Sequence, residues 1–256
     1  MTISVIIPVY QDQASGIRRQ ESGVVLLKRC LVGLDRQTYR DFSVTVVDDD
    51  SEPPVEFQIP DSPSKADRFQ IRLLHHAHAG APSARNLGAR ETNSEFLLFC
   101  DADVVLRPNA LERMVQALAE HPEASYAYSR FRFGWKTFRS FPFDPKRLRR
   151  MPYIHTTALI RRAHFPGFDE SLRRFQDWDL WLTMLEHGHI GTYIPESLFA
   201  IVHTRGTMSR WVPTFVYHLP WKTARVRAYD DAAAIIRSKH GLMESGTPQP
   251  PPLTRR

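Results

Sequence analysis

With 256 residues, 42% hydrophobic and 11% aromatic, the chain can bury a sizeable core as one large domain or two small ones, and a folded enzyme is the default class. Its 34 Lys and Arg against 28 Asp and Glu give a moderate net charge of +6. No apolar stretch reaches 18 residues, and Met1 to Pro8 reads as a strand rather than a cleavable leader, so the chain is expected in the cytoplasm.

Ile3 to Ile7 reads as a buried first strand ended by Pro8. Val24, Leu27, Leu31 and Leu34 fall on one face of a helix. Phe42 to Val47 is a second strand running into Asp48-Asp49-Asp50-Ser51, and Ile71 to Leu74 is a third. Ala81-Pro82-Ser83 opens a second helix, where proline suits the first turn, and Ala84, Leu87 and Gly88 face inward. The apolar run Phe96 to Phe99 leads through Cys100 to Asp101, and a third helix aligns Leu111, Met114, Val115 and Leu118. This βαβαβ order predicts a parallel, doubly wound α/β sheet, whose ligands bind past the carboxyl ends of the strands. Cys30 and Cys100 lack metal-ligand spacing and are expected to be buried, reduced thiols.

After about residue 122 the strict alternation fails, and the chain becomes richer in aromatics, Arg and irregular segments. The reading is one domain over 1–240, with a nucleotide-binding half at 1–122 and an acceptor-side half at 123–240. Between Arg130 and Arg150 lie eight basic residues against the single acid Asp144, interleaved with Phe131, Phe133, Trp135, Phe138, Phe141 and Phe143. Such a stretch suits an anionic membrane surface or a lipid-linked phosphate acceptor; a solvated loop covering the core is the alternative. No nucleic-acid module accompanies it, so nucleic acid is not expected. Helices are predicted from about Asp177 to Glu186 and from about Thr214 to Lys239, and the Pro-rich tail 241–256 is expected to be disordered.

Asp101 and Asp103, spaced i, i+2 after a buried strand, are expected to leave the sheet on the same side and can hold Mg²⁺ or Mn²⁺ against a diphosphate. Helix capping is the alternative. At the end of the second strand a carboxylate of Asp48, Asp49 or Asp50 can accept the N3-H of uracil, although Asp and Ser also simply make turns. The turn at Gly80 precedes a helix N-terminus that favours anions, and Arg85 can pair with phosphate oxygens or with the aspartates. Tyr10 either presents its ring to a base or packs in the core. Asp177 and Asp179 open a helix, as caps or as a catalytic carboxylate. His75, His76 and His78 are expected at the surface. Tyr153, His155, Trp178 and Trp181 either line an acceptor groove or pack in the core.

Ile7-Pro8-Val9-Tyr10, Gln37-Thr38-Tyr39, Val47 to Ser51, Gly80 to Ala89, Asp101-Ala102-Asp103 and Gln176-Asp177-Trp178-Asp179-Leu180 occur here in the order and spacing of family 2 glycosyltransferases with the GT-A fold, and the similarity spans roughly residues 3 to 210. The resemblance implies a Rossmann-like, mostly parallel central sheet flanked by helices, with an acceptor-side region in the second half. It implies Pro8, Tyr10 and Asp49 around the base, Arg85 beside the nucleotide, and Asp101-Ala102-Asp103 as the metal motif with Asp103 the more direct ligand. It also implies Asp177 as the base that takes the acceptor hydroxyl's proton, and His203 as a further ligand to metal or diphosphate.

The implied reaction is inverting transfer from a nucleotide-sugar, a UDP-sugar by preference, to a carbohydrate or lipid-linked acceptor with Mg²⁺ or Mn²⁺, and residues 130–150 are a candidate contact with the inner membrane face. The chain departs from the family pattern at Asp50, where Gly is usual, at Gln176, where Glu is usual, at Thr183, where Arg is frequent, and in an insertion from Asp12 to Gly23. These departures keep a degenerate nucleotide-sugar-binding module as an alternative. A sugar nucleotidyltransferase ranks lower, because Pro8-Val9-Tyr10-Gln11 stands where a Gly-rich triphosphate loop is required.

Overall fold

Alternation along the first strand divides the molecule into two cores. The computed structural model describes residues 1–11, 23–56, 69–134, 136–138, 140–202 and 224–242. Most of the insertion, the start of the last predicted helix, His203 and the Pro-rich tail lie outside them. In chain order the elements begin with β1 (Ile3–Val9), α1 (Gly23–Asp35), β2 (Phe42–Asp48), β3 (Gln70–His75), α2 (Ala81–Arg90) and β4 (Phe96–Phe99). They continue with β5 (Val104–Leu106), α3 (Ala110–Glu120), β6 (Ala124–Phe133), β7 (Lys136–Phe138), α4 (Pro145–Arg150) and β8 (Leu159–Arg161). The last are α5 (Gln176–Glu186), β9 (Ile190–Ile201) and α6 (Ala224–Lys239).

Strands β3-β2-β1-β4 pair in parallel, as the βαβαβ order requires. Ile3, Val5, Ile7 and Val9 point to one face with Phe96, Leu98 and Cys100, where Leu27, Leu31 and Leu34 of α1 and Leu111, Met114 and Leu118 of α3 cover them. Ile6, Leu97 and Phe99 point to the other face and meet Ala84 of α2 and Leu180 of α5. Burying each such Leu or Ile contributes roughly 1.5–3 kcal/mol before entropy is counted, so the helices are held on both faces. Gly88 sets the spacing of α2: a Cβ there would lie 2.5 Å from Ile6 Cγ2, so only a bare backbone lets the helix sit this close to β1. Cys30 and Cys100 are buried free thiols, with Sγ atoms 3.7 Å apart.

The second half completes the same sheet in the order β4-β8-β6-β9-β5, with β7 on β6. Here β8 runs antiparallel to β4 and β6, β9 runs parallel to β6, and β5 returns antiparallel to β9. The sequence marks this region as irregular, whereas four of its segments are sheet strands; the reason is burial on both faces. Tyr126, Ala127 and Tyr128 are consecutive and each fully buried, so no polar–apolar alternation announces the strand. Register shifts around Ser129 and Arg130 break the pattern further.

Pro8 does not end β1 as predicted. The strand continues to Val9, because the β1–β4 ladder stops at the Ile6–Phe99 pair and the missing prolyl N–H faces the side where β4 has already diverged. Trp178 and Trp181 are core residues rather than groove walls: their indole N–H groups donate to the carbonyls of Leu148 at 2.7 Å and Ile154 at 3.1 Å. Tyr153 is likewise buried. Among the described residues no helix is long and apolar enough to cross a membrane.

The end of α6 clamps α5. Lys239 Nζ lies 2.6 Å from Asp169 Oδ2 and 2.7 Å from Asp179 Oδ1, and the His240 ring stands between Asp179 at 2.9 Å and Glu186 at 2.7 Å. The Lys239 hydrogen bond, aided by that of Ser171, holds the Asp169 carboxyl down at about 2, below its ordinary 3.8. A depressed carboxyl contributes stability that is fully present above the unfolded value and is lost as pH falls through the folded one. The Asp169→Asn variant is therefore expected to lose less than about 1 kcal/mol near neutrality, since the Asp169–Lys239 pair is partly exposed. Its stability curve should flatten relative to wild type between about pH 4 and pH 2, which urea denaturation across that range measures.

Candidate active site

The site begins where β4 ends. Cys100 N donates to Ile6 O at 2.9 Å, the last contact between the two strands, and Asp101 follows on the α2/α5 face. Asp101-Ala102-Asp103 is a turn rather than a continuation of the strand, closed by Val104 N on Asp101 O at 2.9 Å. Strand alternation therefore does not place the two carboxylates together as predicted; the turn does. Ala102 is half-buried and packs against the α1/α3 core, anchoring the turn from below.

Arg85 is the centre of the site. It is buried on α2 at 5% exposure, with Nη2 2.6 Å from Asp101 Oδ1 and Nη1 2.9 Å from Gln176 Oε1, and its guanidinium lies over the Phe168 ring. The aspartate is one of the two partners that the sequence offers this side chain. Arg85 joins the end of β4 to the first residue of α5. Gln176 supplies the same hydrogen bond a Glu would supply without a second negative charge, so Asp101 alone neutralises the guanidinium at contact distance.

Phe175, just before Gln176, has φ 57° and ψ 30°, the left-handed region that a bulky side chain seldom enters. Such a conformation costs about 1–2 kcal/mol. Edge contacts to Trp178 at 5.7 Å and Tyr229 of α6 at 4.9 Å hold it there. The helix thus starts abruptly and sets Asp177 in its first turn, where one carboxylate oxygen accepts the Trp178 N–H at 2.9 Å.

The electrostatics distinguish the carboxylates. Burial raises Asp101, but the charge and hydrogen bond of Arg85 outweigh it and hold the carboxyl below the ordinary range. Asp103 lacks such a contact: burial and the Asp101 charge push it up to about 7. Burial also raises Asp177, against the opposing pull of the Trp178 N–H and Arg85. His155 is pushed down to about 4, mainly by burial and against the charge of Asp101. The imidazole is neutral at pH 7, and because Nδ1 accepts the Thr157 N–H at 3.0 Å, its proton is on Nε2. Phe131 and Phe199 flank its ring at 5.0 and 5.1 Å. Arg85, Asp101, Asp103, His155 and Asp177 therefore form one interacting set.

The ends of β1 and β2 are built differently. Asp48 is structural: its carboxylate accepts Ser51 N at 3.1 Å and Val55 N at 3.0 Å. Asp49 is buried and accepts from Ala79 N at 3.0 Å and Gly80 N at 2.9 Å, fixing the turn before α2. Asp50 adopts φ 65°, which explains a preference for Gly at this place and the tolerance for Asp. Tyr10 is 49% exposed, so it is not a core tyrosine. His76 is not at the surface as predicted; its ring is wedged between Asp49 Oδ1 at 3.1 Å and Ser83 Oγ at 3.3 Å. His203 lies outside the described residues.

Among the described residues no cluster of three or more His, Cys, Asp or Glu side chains could by itself enclose a metal ion. The donor chemistry nonetheless fits a cation of the Mg²⁺ type, which takes one or two carboxylates and leaves the remaining positions to phosphate and water. Asp103, raised to about 7 by burial and by its neighbour's charge, is a carboxylate lacking a cationic partner among the described residues, beside one that has Arg85. Phe175, Gln176 and His155 are site features whose roles the sequence does not announce. Nothing in a linear pattern marks a left-handed Phe, and His155 comes into reach of Asp101 only through the β8–β4 pairing.

A family model described as glycosyl transferase family 2 matches residues 4–176. The pre-mycofactocin glycosyltransferase of Mycobacterium tuberculosis is 27% identical over 93% of this chain and 48% of its own length, so the chain spans about half of that relative. An uncharacterized glycosyltransferase of Haemophilus influenzae is 24% identical over 79% of this chain and 69% of its own. Among solved structures, S. aureus TarS 1-349 in complex with UDP-GlcNAc matches with a TM-score of 0.64 at 16% identity, covering 94% of this chain and 72% of that one. A mannosyltransferase from Pyrobaculum calidifontis in complex with GDP-Man and Mn²⁺ matches at 0.57 and 18% identity, covering 95% and 76%. The shared architecture is the GT-A fold.

Replacing Arg85 by Met is expected to cost about 1.5–3 kcal/mol, the range for a hydrogen bond to a charged group, with the lower end favoured because Asp101 is 34% exposed. Urea denaturation of the variant measures it, and an unchanged midpoint would mean that the bridge does not hold β4 to α5.

Proposed function

Since this chain belongs to glycosyl transferase family 2, we propose that it moves a sugar from a nucleotide-sugar, a UDP-sugar by preference, to an acceptor hydroxyl with inversion at the anomeric carbon. The observation that carries this reading is the Arg85 bridge, which sets the Asp101–Asp103 turn and Asp177 in one electrostatically coupled cluster past the end of β4. Ligands of open α/β sheets bind at that edge.

In this mechanism Asp177 takes the proton of the acceptor hydroxyl. The acceptor oxygen bonds to the anomeric carbon as the bond from that carbon to the diphosphate oxygen breaks, and the nucleoside diphosphate leaves with the electron pair. A desolvated carboxylate with a raised pKa is the better base for this task. Gln176 cannot take a proton at neutral pH, so Asp177 is the base available on this turn. Asp101 and Asp103 would hold Mg²⁺ or Mn²⁺, which when bound neutralises the charge developing on the diphosphate. Arg85 keeps the Asp101 carboxylate ionised and oriented. Tyr10 and Asp49 border the place of the base, and Pro8 lies just past the last β1–β4 pair, Ile6–Phe99.

Asp177→Asn is expected to lower transfer by about 10²–10⁴-fold while leaving Mn²⁺-dependent UDP binding near wild type, measured by donor turnover and calorimetry. Retained turnover would remove Asp177 as the base, and binding without turnover in the wild type would favour the binding-module alternative.

The acceptor side carries a basic face. The β6–β7 hairpin and α4 present Arg132, Lys146, Arg149 and Arg150 to solvent, Phe138 is 37% exposed, and α4 is capped by Asp144 through Lys146 N and Arg147 N. The Trp178 N–H on Leu148 O ties this platform to the helix of Asp177. An anionic membrane surface offering a lipid-linked acceptor suits such a face. Phosphatidylglycerol vesicles should sediment the protein at low salt and release it as salt rises, while phosphatidylcholine vesicles should not bind it. If Lys146→Glu, Arg149→Glu and Arg150→Glu together leave sedimentation unchanged, the face has another role.

A further inference from the structure

The carboxylate expected to read the nucleobase is already saturated. Asp49 Oδ1 has His76 Nδ1 at 3.1 Å and Ala79 N at 3.0 Å, and Oδ2 has Gly80 N at 2.9 Å and His78 Nδ1 at 3.1 Å. A carboxylate offers about four lone-pair sites, so these donors leave none for the N–H of a base. They differ in how easily they can leave. The Ala79 and Gly80 amides are the backbone of the turn that opens α2, and Gly80 holds φ 92° there. His76 is 18% exposed and pinned by Ser83 on its other nitrogen. His78, at 54% exposure, needs only side-chain rotation to withdraw.

The position His78 occupies is informative. Its ring lies 4.6 Å from the Tyr10 ring at 37°, and its Nδ1 is also 3.1 Å from the Asp49 carbonyl oxygen. Both neighbours of Nδ1 are acceptors, so this nitrogen carries the proton and donates. The imidazole thus sets a ring face against an exposed aromatic and shares one N–H between the Asp49 carbonyl and its buried carboxylate. A pyrimidine base with an N3-H would make the same pair of contacts in the same place.

We propose that His78 sits in the base seat of the donor site, that a nucleotide must displace it to bind, and that it thereby sets the affinity for the nucleoside part of the donor. The inference rests on the reading of Tyr10 and Asp49 as the base-binding pair. Once displaced, His78 leaves one lone pair of Asp49 Oδ2 free for the incoming N–H. The other donors keep the turn in place.

Calorimetric titration of the full chain with UDP in the presence of Mn²⁺ tests this. Removing a competitor that makes one hydrogen bond and one ring contact is expected to tighten UDP binding about 2- to 10-fold in His78→Ala. The affinity for inorganic diphosphate with Mn²⁺, which has no base, should stay at the wild-type value. Tyr10→Ala should weaken UDP and leave diphosphate unchanged. If His78→Ala weakens UDP or leaves it unaltered, the displacement proposal is overturned while the base-site reading stands. If Tyr10→Ala has no effect on UDP, the base-site reading fails and takes the proposal with it. Circular dichroism confirms that each variant is folded.

Discussion

One buried cation bridges the elements that carry Asp101, Asp103 and Asp177. Arg85 reaches from α2 to the end of β4 and to the start of α5. An uncompensated guanidinium at 5% exposure would be costly, so Asp101 has to be ionised and adjacent. That requirement fixes the turn after β4, because the carboxylate has to face α2 while Val104 returns to pair with β9. The location of Asp103, the entry to α5 and the placement of Asp177 all follow from compensating one buried charge.

The same bridge sorts the acids by chemistry. Three carboxylates share a small, poorly solvated region, and a cation in contact with one of them keeps that one ionised. Asp101 becomes the fixed counter-ion. Asp103, next to it and without a cation of its own, is raised to about 7 and is the group with most to gain from a second cation. Asp177 is raised by desolvation while its orientation is set by the Trp178 N–H, which suits the proton acceptor of the proposed mechanism. Different roles thus come from identical functional groups through their neighbours.

The parallel half was legible in the sequence because its strands are apolar runs separated by helices with clear faces, and Leu27, Leu31 and Leu34 or Leu111, Met114 and Leu118 land where their spacing puts them. The second half was opaque for a physical reason: Tyr126 to Tyr128 is buried on both faces, and β8 has three residues, too few for any period to register. At the site, the residue identities were legible and the geometry was not. Asp101 and Asp103 were identified as a pair on the basis of strand alternation, yet a turn unites them. His76 read as one of three surface histidines, but a carboxylate that needed another donor drew it inward. The strained backbone at Phe175 left no trace in the sequence, since its cause is tertiary packing against Trp178 and Tyr229.

The Asp177 and Tyr10 sides of the site differ in how firmly their groups are held, and the difference matches the role proposed for each. Asp177 sits on a helix fastened at both ends, by the Arg85–Gln176 bond and the packed left-handed turn at the start and by Lys239 and His240 of the α6 end along its length. A proton acceptor that must line up with a forming bond loses rate steeply with misplacement, so ordering that helix in advance is worth the strain at Phe175. Tyr10 and His78 have no such fastening; both are about half exposed and touch each other. A base that has only to be admitted and held can be received by side chains that rearrange. The rigid backbone at Ala79 and Gly80 then guarantees that, whichever ring sits on Tyr10, Asp49 still points at it.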